Sequence, residues 1–109
     1  MSLIDKYEFF ISDFSLHSIG IILFHQKRYK EFNEFIQDMI LDAGVSVVRL
    51  SPDAMKDLIT ITRTFKLDFD DADQYKAAQQ YDLDIVSFDA DFDRTERGRR
   101  TPQEIVSTA

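Results

Sequence analysis

Aromatic and β-branched residues crowd the stretch Tyr7-Glu8-Phe9-Phe10-Ile11, a composition that predicts a short strand. Ser12 or Asp13 follows as a helix N-cap. Beyond it, Leu16, Ile19, Gly20 and Leu23 share one helical face, and Ile21, Ile22 and Phe24 fill much of the rest. Periodicity alone leaves such a run open between helix and strand; the cap tips the reading to a buried helix. Tyr29, Phe32, Phe35, Ile36, Met39 and Ile40 recur at three- and four-residue spacing with polar residues between them, which predicts an amphipathic helix. Gly44 stands where a left-handed C-cap is wanted. Val45, Val47 and Val48 lead to Leu50 as a second strand. Ser51-Pro52 then places a cap and a first-turn proline before a helix carrying Ala54, Met55, Leu58, Ile59, Thr62 and Phe65. Asp70-Asp71-Ala72 opens a further helix, its acids in the first turn where the dipole favours them, running to about Tyr81. Leu83, Ile85, Val86 and Phe88 form the next strand. Strands alternating with helices predict an α/β domain with a mainly parallel sheet.

Composition narrows this picture without changing it. A chain of 109 residues suits one domain, residues 1–109. Ten Phe and four Tyr supply core volume, and there is no Trp. Cysteine is absent, which excludes disulfides and thiolate zinc sites and fits a cytoplasmic protein. No apolar run approaches the roughly 20 residues that span a bilayer, and Met1-Ser2-Leu3-Ile4-Asp5-Lys6 lacks the pattern of a signal peptide. The net charge of −7 argues against coating nucleic acid by bulk attraction. The charge is uneven, however: Arg94, Arg97, Arg99 and Arg100 crowd together just after an acidic stretch that runs from Asp68 to Asp93. A basic patch beside carboxylates is what a metal-dependent nuclease needs, and it is also what a solvated surface looks like.

Two acidic constellations stand out, Leu67-Asp68-Phe69-Asp70-Asp71-Ala72-Asp73 and Asp84-Ile85-Val86-Ser87-Phe88-Asp89-Ala90-Asp91-Phe92-Asp93. The second puts Asp89 just beyond the C-terminal end of a predicted strand, the edge where open α/β sheets bind ligands. The first puts Asp71 at a helix start. Should these ends meet, their carboxylates converge as oxygen ligands for a hard cation such as Mg²⁺ or Mn²⁺. Asp89-Ala90-Asp91-Phe92-Asp93 also begins like a calcium loop, but Arg94 replaces its glycine and Arg100 its bidentate glutamate, so an EF-hand is rejected. His17 and His25 have no partner at zinc-ligand spacing.

A helix beginning Asp70-Asp71-Ala72, followed by a strand ending Ser87-Phe88-Asp89-Ala90-Asp91-Phe92, resembles the C-terminal half of PIN domains. Phe10-Ile11-Ser12-Asp13-Phe14-Ser15-Leu16 resembles that family's second strand and the helix after it, and Arg99-Arg100-Thr101-Pro102-Gln103-Glu104 its closing strand and Pro-Glu tail. The resemblance implies a three-layer α/β fold, a mainly parallel sheet flanked by helices, and metal-dependent cleavage of RNA with Mg²⁺ or Mn²⁺; many members are toxins of toxin–antitoxin pairs. Asp71 then matches the family's third acid and Asp89 its fourth, as catalytic residues and metal ligands, with Asp91 or Asp93 as an auxiliary ligand. Arg94, Arg97, Arg99 and Arg100 are the expected RNA contacts.

The chain also departs from the family. The first central strand, with its Asp followed by Thr or Ser and Asn, has no counterpart, and Ser18 beside His17 stands where the family has Glu. Two of four acids are therefore missing, through truncation or natural loss. Two readings follow. One is an endoribonuclease, inactive or weak as this chain, with RNA and an antitoxin-like protein as partners. The other is a catalytically dead module that binds a protein or RNA and needs no cofactor. In either case the gap left by the first strand is expected to close by re-pairing, by recruiting Met1–Asp5, or by self-association, and a homo-oligomer is expected.

Overall fold

The strand expected at residues 7–11 forms later and shorter, at Phe10–Ser12 (β1), because Ser12 does two jobs. It ends the strand, and its Oγ accepts a hydrogen bond from the Ser15 amide at 3.1 Å, capping the helix that follows. The computed structural model describes residues 7–107, so the opening stretch weighed against a signal peptide lies outside the described residues. The chain divides between Arg49 and Leu50 into two compact units.

In the first unit, helix α1 (Asp13–His25) leads through a reversal at Lys27, φ 57°, into α2 (Tyr29–Phe35). The expected single helix over residues 29–40 instead passes into a π-helical segment, Ile36–Asp42. There Gln37 Nε2 donates to Asp42 Oδ1 at 2.8 Å, a five-residue spacing that suits the i→i+5 pitch. Gly44, at φ 73°, provides the left-handed turn expected of it. Strand β2 (Ser46–Val48) then pairs with β1 in parallel, Phe10 opposite Ser46 and Ser12 opposite Val48. Between them α1 and α2 form the long crossover that a parallel pair requires. Helix α1 contacts both strands and α2. A Cβ on Gly20 would lie 3.1 Å from the Phe32 ring, so glycine there allows the close approach of the two helices. The Phe24 ring meets Tyr29 and Phe32 edge-on at 5.0 and 5.3 Å.

The buried helix expected over residues 16–24 is corrected on burial. Helix α1 forms, but none of its residues is buried, and Ile21 is 69% exposed. The unbroken apolar run at residues 19–24 covers every side of the helix there, and only one face can turn to the strands and to α2; Ile21, Ile22 and Phe24 lie on what remains.

Among the described residues, all of the buried apolar ones lie in the second unit. Ser51 Oγ caps α3 (Pro52–Met55) by accepting from the Ala54 amide at 3.2 Å, with Pro52 in the first turn. The helix expected to run unbroken to Phe65 is interrupted: the Lys56 and Asp57 amides close back three residues, onto Asp53 and Ala54, and α4 spans Leu58–Phe65. At the break, the Asp57 carboxylate takes an ion pair from Lys76 at 2.9 Å. Lys76 lies on α5 (Phe69–Tyr81), so the break is tied to the neighbouring helix. Ala72, Tyr75 and Ala78 recur every three residues on α5 and are buried, as are Leu58 and Ile61 of α4 and Phe92. Asp82 ends α5 in the left-handed region, and the Leu83 amide reaches back to the Ala78 carbonyl at 2.8 Å, the 6→1 bond of a Schellman closure.

The strand expected over residues 83–88 is also corrected. It is reduced to one parallel bridge, Val86 opposite Arg100, flanked by Arg100 N–Ile85 O at 2.7 Å and Ser87 N–Arg100 O at 3.0 Å. Ile85 is buried while Val86 and Phe88 are exposed; the apolar pattern is present, but only Arg100 lies opposite to extend it. Past the bridge, Thr101 and Glu104 cap α6 (Pro102–Ser107) reciprocally: the Glu104 amide donates to Thr101 Oγ1 and the Thr101 amide to Glu104 Oε1, both at 3.2 Å. This is a capping box. The fold is mixed α/β, and its strand pairings among the described residues are parallel. No helix among those residues is long and apolar enough to cross a membrane.

Candidate metal centre

The start of α5 carries Asp68 at the N-cap position, with Asp70 and Asp71 in the first turn. Asp68 makes no side-chain cap bond, and the Asp70 carboxylate accepts from the Asp71 amide at 3.1 Å. Asp89 arrives from the bridge segment and caps a 3₁₀ turn, Ala90–Arg94, its Oδ1 accepting from the Asp91 amide at 2.8 Å. Ser87 Oγ in turn accepts from the Asp89 amide at 3.0 Å. These local bonds orient the Asp70 and Asp89 carboxylates. One oxygen from each of Asp71, Asp89 and Asp91 lies within 4.8 Å of the others, and all three residues are half-buried. Asp68, Asp70 and Asp71 make a second group of the same size, so Asp71 belongs to both.

Burial and the neighbouring carboxylates act together on Asp71. The Asp71 carboxyl is lifted from 3.8 to about 6, first by burial, then by its hydrogen bond to Asp89 and the charge of that residue, then by the charges of Asp70 and Asp68. Against this, Arg94 pairs with Asp91 at 3.0 Å. The donor set suits a hard divalent cation: oxygens held at about 2.1 Å from Mg²⁺ lie roughly 3 to 4 Å from one another.

Residues 1–98 match the family model described as PIN domain. The chain belongs to the PIN-domain family. Neither the curated proteins nor the solved structures contain a match to it. PIN membership carries nuclease-type function in general terms, together with the dependence on divalent metal usual in that family. The match spans both units and stops short of Arg100 and α6.

Within this PIN domain the residues singled out from the sequence are distributed as follows. Asp71, Asp89 and Asp91 come together, whereas Asp93 does not join them. Two residues apart on a helix of three residues per turn, Asp91 and Asp93 face different sides, and Asp93 forms an ion pair with Arg99 at 3.2 Å. Asp68 and Asp70 lie outside the ligand set that the sequence suggests, where Asp70 is a first-turn acid of the helix, yet they group with Asp71 here.

The four arginines are engaged within the fold. Arg94 donates to the Phe65 and Lys66 carbonyls at 3.0 and 2.7 Å, closing the C-terminus of α4. Arg97 donates to Asp82 and to the Leu83 carbonyl at 3.0 and 3.1 Å, closing α5. Arg99 also reaches the Ser87 carbonyl at 3.2 Å, and Arg100 lies 3.9 Å from Asp84. Helix ends expose unpaired carbonyls, and guanidinium groups satisfy them well. On α1 in the first unit, the His17 ring nitrogen lies 2.8 Å from the Asp13 carbonyl oxygen, and Ser18 is half-buried.

Proposed function

We propose that Asp71, Asp89 and Asp91 bind Mg²⁺ or Mn²⁺ and that the chain is a metal-dependent endoribonuclease of low activity. The observation that carries this reading is the convergence of three carboxylates from two separate segments within 4.8 Å, in a domain of a nuclease family. When bound, such a cation supplies Lewis-acid activation of water and offsets charge developing on the phosphate.

The protein's own part is to hold the ligands. The cap bonds of Asp89 fix its carboxylate, and Arg94 ties Asp91 to the end of α4. Asp71 serves as a ligand when ionised, so a proton competes with the cation for it below about pH 6. Low activity follows from the donor set. All of these ligands come from the α5 start and the 3₁₀ turn, and Ser18, where the family has Glu, brings no charge. A role as a toxin held by an antitoxin-like protein belongs to the same reading.

The test is cleavage of single-stranded RNA with Mn²⁺ or Mg²⁺, comparing the chain with Asp89→Asn and with added chelator. Slow cleavage that the variant and the chelator both abolish supports the proposal. Absence of any metal-dependent cleavage, with RNA binding retained, moves the chain to the alternative, a binding module of PIN architecture. Growth arrest on expression, relieved by Asp89→Asn, would support the toxin role.

A further inference from the structure

Phe88 is the most exposed of the large hydrophobic residues described, at 77%, and it immediately precedes Asp89 in the chain. Single exposed apolar residues are common on protein surfaces, but this one is not on a loose loop. On its N-terminal side, the Ser87 amide donates to the Arg100 carbonyl at 3.0 Å and Arg99 donates to the Ser87 carbonyl at 3.2 Å. On its C-terminal side, the Asp89 amide donates to Ser87 Oγ and the Asp89 carboxylate caps the 3₁₀ turn. The backbone is thus pinned on both sides of a side chain that projects into water. A second aromatic, Phe69, precedes Asp71 by two residues at the start of α5 and is 51% exposed. Each of the two segments that carry the acidic group therefore also carries an exposed aromatic residue close by in the chain.

We infer that Phe88 is a stacking platform that positions an unpaired base of single-stranded RNA beside the Asp71–Asp89–Asp91 group. The inference rests on the nuclease reading for the identity of the ligand. The chemistry favours a base over other occupants. The acidic group repels a phosphate backbone unless a cation intervenes, and Arg94, Arg97, Arg99 and Arg100 already have intramolecular partners. A neutral π-face is a means of holding nucleic acid that this charge distribution does not oppose, and stacking on an exposed ring tolerates any base. A fixed backbone reduces the ordering needed on binding.

The experiment uses the full chain and a short single-stranded RNA carrying 2-aminopurine, with Ca²⁺ present at low salt, following fluorescence. Stacking should quench the probe on the wild type. Phe88→Ala should abolish the quenching and weaken binding by roughly 5- to 150-fold. Phe88→Leu should fail in the same way, Phe88→Trp should restore both readouts, and Ile59→Ala, another exposed apolar change, should leave them alone. Unchanged melting temperatures would show that each variant folds. The inference is overturned if the wild type does not quench the probe, if Phe88→Ala quenches as well as the wild type, or if Phe88→Leu restores affinity. Mn²⁺-dependent cleavage by wild type and Asp89→Asn is measured in parallel. Quenching lost in Phe88→Ala without cleavage by the wild type leaves the platform standing and removes the nuclease; quenching retained in Phe88→Ala, with cleavage by the wild type, does the reverse.

Discussion

Asp71 is subject to opposing demands. Burial and Asp89 favour its protonated form up to about pH 6, whereas an unfolded chain would release that proton near 3.8. Between those values the folded protein holds a proton that the unfolded one has lost. With chelator present, stability should therefore fall as pH rises through this window. Asp71→Asn removes the titration, and its urea midpoint should change less between pH 4.5 and 7 than the wild type's. A wild-type midpoint that climbs across the same range, with the variant flat, would contradict the assignment. Arg94 makes the complementary case. It joins Asp91 to the last carbonyls of α4 with three donors. Arg94→Ala should cost about 1 to 2 kcal/mol in chemical denaturation and also loosen Asp91. Arg94→Lys should recover only part of that loss, since an ammonium cannot reproduce the fork.

Phe92 shows how the elements support the site. It is fully buried and lies between Asp91 and Asp93 on the 3₁₀ turn, so the turn that presents Asp91 is anchored by this ring. Phe92→Ala should destabilise the second unit by about 3–5 kcal/mol, measured by thermal melting, and abolish metal binding with it; Phe92→Leu should retain both in part. Much of this was legible in the sequence. Ser12, Gly44 and Ser51-Pro52 marked element ends because caps and left-handed turns are local chemistry. Asp71 was legible as a helix-start acid because a first turn is local too, whereas Asp89, expected at a strand end, caps a 3₁₀ turn beyond a single bridge. The breaks were not. Lys76 on a distant helix holds Asp57 where α3 stops, and only Arg100 lies opposite the apolar run at residues 83–88; both depend on long-range pairing. The exposed face of α1 was misread because an all-apolar run says nothing of how much partner surface exists. A two-stranded sheet with Ile21, Ile22 and Phe24 open beside it is a marginal arrangement. Light scattering should show self-association of the full chain, reduced by a combined Ile21→Ser and Phe24→Ser change; a monomer at high concentration would defeat this.

Taken whole, the chain carries a net charge of −7, and the PIN match runs across both of its units. A divalent cation at the Asp71–Asp89–Asp91 group would relieve the local share of that repulsion, and any ligand that prefers the folded state raises its stability by mass action. At ten times its dissociation constant the gain is about 1.4 kcal/mol, which for a small domain moves the melting temperature by about 6 to 10 °C. Mn²⁺ titrated into the chain should therefore raise the melting temperature. The rise should be larger at pH 7.5 than at pH 5.5, because at the lower pH a proton competes for Asp71. Asp89→Asn should lose most of the rise, while Asp93→Asn should keep it, since Asp93 is held by Arg99 away from the group. Equal rises in Asp89→Asn and the wild type would mean that the cation binds elsewhere, and the three carboxylates would then be only a cap and its neighbours.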